Sequence, residues 1–194
     1  CGDERAVTAF TVHLMRHGAV EACGLLIGST DMPSTAAGDA ACIARSQSLC
    51  FTRVESSDLI RARRPAESVA ALRGVPCTAD PEWRELDFGA WDGHATADLT
   101  PAAMARFWAD PDGNPPPGGE RWSGLVARAG AAFDRINDDT LVLTHAGTMR
   151  AVLGYACGFS SGQCWAFDLP YACVLTLKVW PGDMRSVQIT GLLA

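Results

Sequence analysis

Apolar residues fall in short runs along this chain, separated by stretches rich in Gly, Ser, Asp and Pro. The run from Ala9 to Met15 predicts a short buried strand ending at Arg16-His17-Gly18, and the Gly-rich polar stretch from Ala19 to Gly38 predicts loop. Ala, Ile and Leu recur at helical spacing from Asp39 to Leu49, with Asp39 placed to cap that helix. Arg53 to Ser56 reads as a second strand, and Ala66 to Leu72 as a helix ended by Gly74 and Pro76. Composition changes between Asp80 and Arg121, a segment carrying Trp83, Trp91, Trp108 and the cluster Pro115-Pro116-Pro117-Gly118-Gly119. It reads as an excursion from the sheet, with a short helix from Pro101 to Trp108. Trp122 to Ile136 patterns as an amphipathic helix, and Leu141 to Thr144 as a strand. His145-Ala146-Gly147 then opens a helix reaching about Ala156, and Ala172 to Trp180 and Ser186 to Leu192 read as strands. Strands alternating with helices predict an α/β fold. The expected architecture is a three-layer α/β/α sandwich with a mostly parallel central sheet and a helical and loop insertion at about 80–121.

The 194 residues are 48% hydrophobic and 20% charged, enough to bury a core in a single domain spanning 1–194. A net charge of −6 argues against a nucleic-acid partner, which selects for a basic face. No apolar run has the length of a membrane span, and no signal peptide is recognisable. Cys1 reads as a trimmed start, with lipid modification of that cysteine as the alternative. The eight cysteines, at 1, 23, 42, 50, 77, 157, 164 and 173, include no Cys-x-x-Cys. They predict free thiols in a reducing cytoplasm and no metal site. Fifteen of the sixteen basic residues are Arg, Lys178 being the exception, so an Arg points to phosphate only where its position supports it.

Two of the four histidines hold equivalent places. His17 and His145 each follow an apolar strand and precede a Gly, and ligands of open α/β sheets gather at such strand ends. If the two ends converge, His17 is a candidate nucleophile with His145 as its partner. Arg61, in Ser57-Asp58-Leu59-Ile60-Arg61-Ala62, follows a third predicted strand end. Arg16 and Arg61 would together present guanidinium forks matched to a tetrahedral oxyanion. The segment from Trp83 to Gly93 places Glu85 and Asp87 among aromatic residues, where a carboxyl can serve as a general acid.

In this order the motifs resemble the histidine phosphatase, or phosphoglycerate mutase-like, superfamily from about Thr11 to Trp180. The resemblance implies that His17 becomes phosphohistidine while Arg16, Arg61 and His145 hold the phosphoryl oxygens. It assigns the general acid to Glu85, with Asp87 as second choice. It implies a phosphomonoesterase acting on a small-molecule phosphate ester without metal or cofactor, and it leaves the oligomeric state unspecified. The sequence departs from the family pattern at Ala19 and Val20, after Arg-His-Gly, and at Pro65, where Thr is common.

Gly28-Ser29-Thr30-Asp31-Met32-Pro33 resembles the corresponding loop of the α-ribazole phosphatase branch, which removes the 5′-phosphate of α-ribazole phosphate in cobalamin biosynthesis. Gly28 also matches a glycine that lines the substrate pocket of the mutases. The alternatives are a broad-specificity phosphatase, a phosphoglycerate mutase and a non-catalytic phospho-ligand binder. Gly158-Phe159-Ser160-Ser161-Gly162 matches Gly-x-Ser-x-Gly, but a helix rather than a strand precedes it, so no nucleophile elbow is expected. His13 reads as a packed residue and His94 as solvated loop. The aromatic residues of the insertion could either stack on a flat base or form a small core of their own.

Overall fold

A computed structural model describes residues 8–22, 24–182 and 185–194; Cys1 and Cys23 lie outside them. Six strands and six helices appear among the described residues. In chain order they are β1 (Phe10–Arg16), α1 (Ala36–Ser46), β2 (Arg53–Ser56), α2 (Ile60–Arg73), β3 (Cys77–Ala79) and α3 (Pro101–Ala109). There follow α4 (Trp122–Arg135), β4 (Thr140–Thr144), α5 (Ala146–Cys157), α6 (Ser161–Cys164), β5 (Val174–Trp180) and β6 (Ser186–Leu193). The strands form one sheet in the order β3-β2-β4-β1-β5-β6. Strands β3, β2, β4 and β1 run parallel, while β5 pairs antiparallel with both β1 and β6. The sheet is therefore mixed, with β5 its reversed strand.

Alternation along the central strands builds two cores. Val12, Leu14 and Val142 face α4 and α5, in a cluster with Leu125, Phe133 and Leu153. Met15, Leu141 and Leu143 face the opposite way, against Cys42 of α1 and Val69 of α2. Helices thus cover both faces of the sheet, as the sequence pattern predicts. Trp83, Trp91 and Phe107 of the inserted segment belong to the first cluster, so much of the insertion's aromatic surface is main core.

Several boundaries differ from expectation, each for a local reason. Helix α1 starts at Ala36 and is capped by Thr35, whose hydroxyl accepts the Gly38 N–H at 2.9 Å. Asp39 is not the cap. It sits inside the first turn and accepts from Ser34 Oγ and from Arg64 Nε, the latter at 2.6 Å. Helix α2 starts at Ile60, six residues before Ala66, because Asp31 Oδ1 takes the Ile60 N–H at 2.6 Å from outside the helix. Pro65 lies within α2 and has no N–H for the Arg61 carbonyl; the Ser34 hydroxyl, whose proton goes to Asp39, lies 3.3 Å from that carbonyl. Strand β3 was not anticipated. It has three residues, all exposed, and so carries no apolar signal.

Candidate active site

Register places the site. β1 and β4 are parallel neighbours with Arg16 opposite Thr144, so the residues after them, His17 and His145, emerge side by side. The His17 N–H extends the ladder by one bond to Thr144 O, at 2.8 Å. The two imidazole centroids are 5.1 Å apart. Gly18 lets α1 approach: a Cβ there would stand 2.2 Å from the Gly38 backbone.

Hydrogen bonds fix both tautomers. His17 is 6% exposed, and its Nδ1 lies 2.8 Å from Gly18 O. A carbonyl only accepts, so Nδ1 carries the proton and Nε2 the lone pair. Burial, then the positive charge of Arg61, lowers the His17 pKa to about 3, against the opposing pull of the Gly18 carbonyl. His17 is therefore an uncharged base with a free Nε2 at neutral pH. For His145 the assignment is reversed. Arg61 Nε donates to its Nδ1 at 3.3 Å, which leaves the proton on Nε2. Burial and the Arg61 charge hold His145 well below the ordinary histidine range. Its Nε2 and the Nε of Arg16 are buried without a partner among the described residues.

Arg61, only 1% exposed, is braced from behind. Nη1 donates to Thr30 O at 2.8 Å, and Nη2 to Gly28 O at 2.7 Å and Ile27 O at 3.2 Å. Asp92 in turn holds that loop, accepting from Gly28 N, Ser29 Oγ, Thr30 N and Thr30 Oγ1 at 2.7–3.0 Å. Burial pushes the Asp92 carboxyl up, but these four donors outweigh it and leave its pKa below the usual range. Gly28 itself is buried, its carbonyl set against Arg61, and it is not among the residues lining the cavity at His17. The loop from Gly28 to Asp31 thus orients Arg61 and caps α2.

Glu85 joins the group from the insertion. Its carboxylate takes the Leu86 N–H at 2.9 Å and the Gly147 N–H, at the start of α5, at 3.1 Å. A Cβ at Gly147 would lie 2.2 Å from Glu85 Oε1, so glycine is required for this seat. Arg128 of α4 clamps the same segment, donating to the carbonyls of Glu82, Arg84 and Glu85 at 2.7–2.9 Å while paired with Glu120. Asp87, the second choice for the acid, faces elsewhere. Its Oδ1 accepts the Gly89 N–H at 2.9 Å in a tight turn, and it does not line the cavity at His17.

Two cavities meet at Glu85 and Phe88. The first, about 150 Å³, is polar and is lined by Arg16, His17, Arg61 and Tyr171. The second, about 110 Å³, is apolar and is lined by Phe107, Trp108, Trp122, Trp165 and Arg150. Of the expected residues, Arg16, His17, Arg61 and Glu85 line one cavity, and His145 packs against His17 and Arg61.

Sequence reasoning missed Tyr171, Asp92, Arg128 and Arg150. Tyr171 packs 4.0 Å over the Arg16 guanidinium, presented by a bend in which Ala172 takes φ +57° and donates to His17 O at 3.2 Å. No motif marks that bend. His13 is packed as expected, 3.0 Å from Thr176 Oγ1, and His94 is exposed. Ser160 caps α6 by exchanging hydrogen bonds with Gln163 and is no nucleophile elbow. The six described cysteines are free thiols. Among the described residues no helix is long and apolar enough to cross a membrane.

Residues 12–190 match the sequence profile of the histidine phosphatase superfamily (branch 1). An adenosylcobalamin/α-ribazole phosphatase of Salmonella typhimurium is 27% identical over 186 residues, covering 87% of this chain and 90% of that protein. A solved protein of Thermus thermophilus is 32% identical with a TM-score of 0.74, covering 95% of this chain and 99% of the other. The α-ribazole phosphatase of Shigella flexneri is 23% identical and shares the fold with a TM-score of 0.82, covering 95% and 96%.

Proposed function

The chain belongs to the histidine phosphatase superfamily and is a phosphatase, and from that premise we propose that it is a metal-independent phosphomonoesterase that removes the 5′-phosphate of α-ribazole phosphate through a phosphohistidine on His17. The observation that carries the chemistry is the arrangement of donors around one free lone pair. His17 Nε2 attacks phosphorus in line, forming the N–P bond as the ester P–O bond breaks. Negative charge spreads over the three equatorial oxygens, and Arg16, Arg61 and the Nε2–H of His145 stabilise it. Glu85, on the wall shared by both cavities, gives its proton to the leaving alkoxide. It then takes a proton from the water that cleaves the N–P bond, which restores His17 and releases phosphate.

Two observations support the substrate. The aromatic cavity opens at Glu85, where the leaving alcohol must pass, and its walls suit a flat base. The Salmonella relative, similar over most of both chains, is named for α-ribazole phosphatase activity. Phosphate release should be measured from α-ribazole 5′-phosphate beside sugar phosphates, nucleotides and phosphoglycerates, all with EDTA. The expected result is undiminished turnover and a marked preference for α-ribazole phosphate. Weak, even turnover across the panel would keep the chemistry and overturn the substrate.

A further inference from the structure

The mechanism above leaves one buried cation unused. Arg150 lies on α5, is 9% exposed, and forms no ion pair with any described residue. Its guanidinium stacks 4.1 Å over the Trp165 ring, and Nη2 donates to Phe167 O at 3.0 Å. Those two contacts fix its plane. Nε is buried without a partner, and Nη1 has no acceptor among the described residues. A buried guanidinium in an apolar wall is unfavourable unless something accepts from it, and Phe167 O, the Trp165 face and the charge of Glu85 meet only part of that need.

The surroundings say what the acceptor is attached to. Arg150 lines the cavity walled by Phe88, Phe107, Trp108, Trp122 and Trp165, which shares Glu85 with the cavity holding His17. Trp108 and Trp165 meet edge to face at 4.7 Å, and Phe107 meets Trp108 at 4.8 Å. Such walls favour a planar ring. In an in-line transfer to His17 the leaving oxygen turns toward Glu85, so the alcohol that bears it extends into this cavity.

We infer that this cavity is the leaving-group subsite and that Arg150 is its specificity residue, donating to an acceptor atom in the plane of an aromatic ring carried by the leaving alcohol. The inference rests on phosphoryl transfer at His17 but not on any one natural substrate. An unprotonated ring nitrogen and a ring carboxylate both supply that acceptor.

The test reads ring binding without turnover. Calorimetry would follow the protein with 1-(2-hydroxyethyl)benzimidazole, 1-(2-hydroxyethyl)indole and the 3-carboxylate of the latter. The first two are nearly isosteric, and only the benzimidazole has an in-plane acceptor. At least one acceptor-bearing ring should bind about tenfold more tightly than bare indole, the scale of one hydrogen bond to a charged donor. Which of the two it is separates a neutral base from an anionic leaving group. Arg150→Leu should abolish the preference, whereas Trp108→Leu should weaken all three rings and keep their ranking. Equal binding of all three rings by the unaltered protein would overturn the inference, as would a preference that survives Arg150→Leu. Should Arg150→Leu fail to fold, Arg150→Lys decides, because an ammonium lacks the planar edge; an undiminished preference there also overturns the inference. Failure of the phosphatase reading would appear separately, as absent phosphate release in the substrate panel.

Discussion

The surroundings of His17 keep it uncharged, as the proposed nucleophile must be. With a folded pKa of about 3 against an ordinary 6.5, the unfolded chain binds this proton first as pH falls. The stability is therefore whole above pH 6.5 and is lost progressively as pH drops toward 3. His145, lowered in the same direction, adds to the effect. Urea midpoints should fall steadily between about pH 7 and pH 4, and His17→Gln should flatten that slope; a midpoint independent of pH would contradict the burial argument. Glu85 has a different signature. Glu85→Gln should slow alkyl phosphates about 100-fold or more while slowing nitrophenyl phosphate far less, since a good leaving group needs no proton. Equal slowing of both would remove Glu85 as the acid. At this scale the sequence was informative about placement: Arg16, His17, Arg61, Glu85 and His145 lie together at the strand ends where their motifs put them. The orientations of Asp87 and Gly28 were not legible, because they depend on which way a turn faces. Tyr171 was invisible, as it reaches Arg16 only through the positive φ of Ala172.

Helix and loop boundaries decide where those side chains point. Arg61 faces the site because α2 begins at Ile60, and the start of α2 is set by Asp31, 29 positions away in sequence. Periodicity alone could not locate it, since the cap is not adjacent. Strand ends were easier to read, because an apolar run followed by His and Gly marks its own boundary. The Arg128 clamp shows how one helix holds the segment that carries Glu85, the proposed acid. Its three bonds to the backbone carbonyls of Glu82, Arg84 and Glu85 fasten the insertion to α4. Arg128→Ala frees those carbonyls and leaves Glu120 unpaired, a loss of about 2–3 kcal/mol by the usual scale of hydrogen bonds to charged groups. The expected outcome is a lowered melting temperature together with a leaving-group dependence shifted toward that of Glu85→Gln. A drop in stability with unchanged leaving-group dependence would confine Arg128 to a structural role.

Across the whole molecule, the mixed sheet brings chemistry from distant parts of the chain to one edge. β1 and β4 contribute the histidines, α2 an arginine, and the insertion Glu85. The three-layer arrangement was legible because the central strands alternate toward two helical layers. β3 and the reversal of β5 were not, the first being short and exposed, the second depending on a connection rather than on a pattern. The two cavities follow from the same arrangement and meet at Glu85 and Phe88. All of this converges on one covalent species. The most direct measurement is intact mass after rapid alkaline quench during turnover of nitrophenyl phosphate, with peptide mapping of the adduct. One phosphoryl group on His17, formed and lost at rates that sustain turnover and absent from an inactive His17→Ala that still binds phosphate, is the expected result. Steady turnover with no adduct, or with the adduct on another residue, would contradict it.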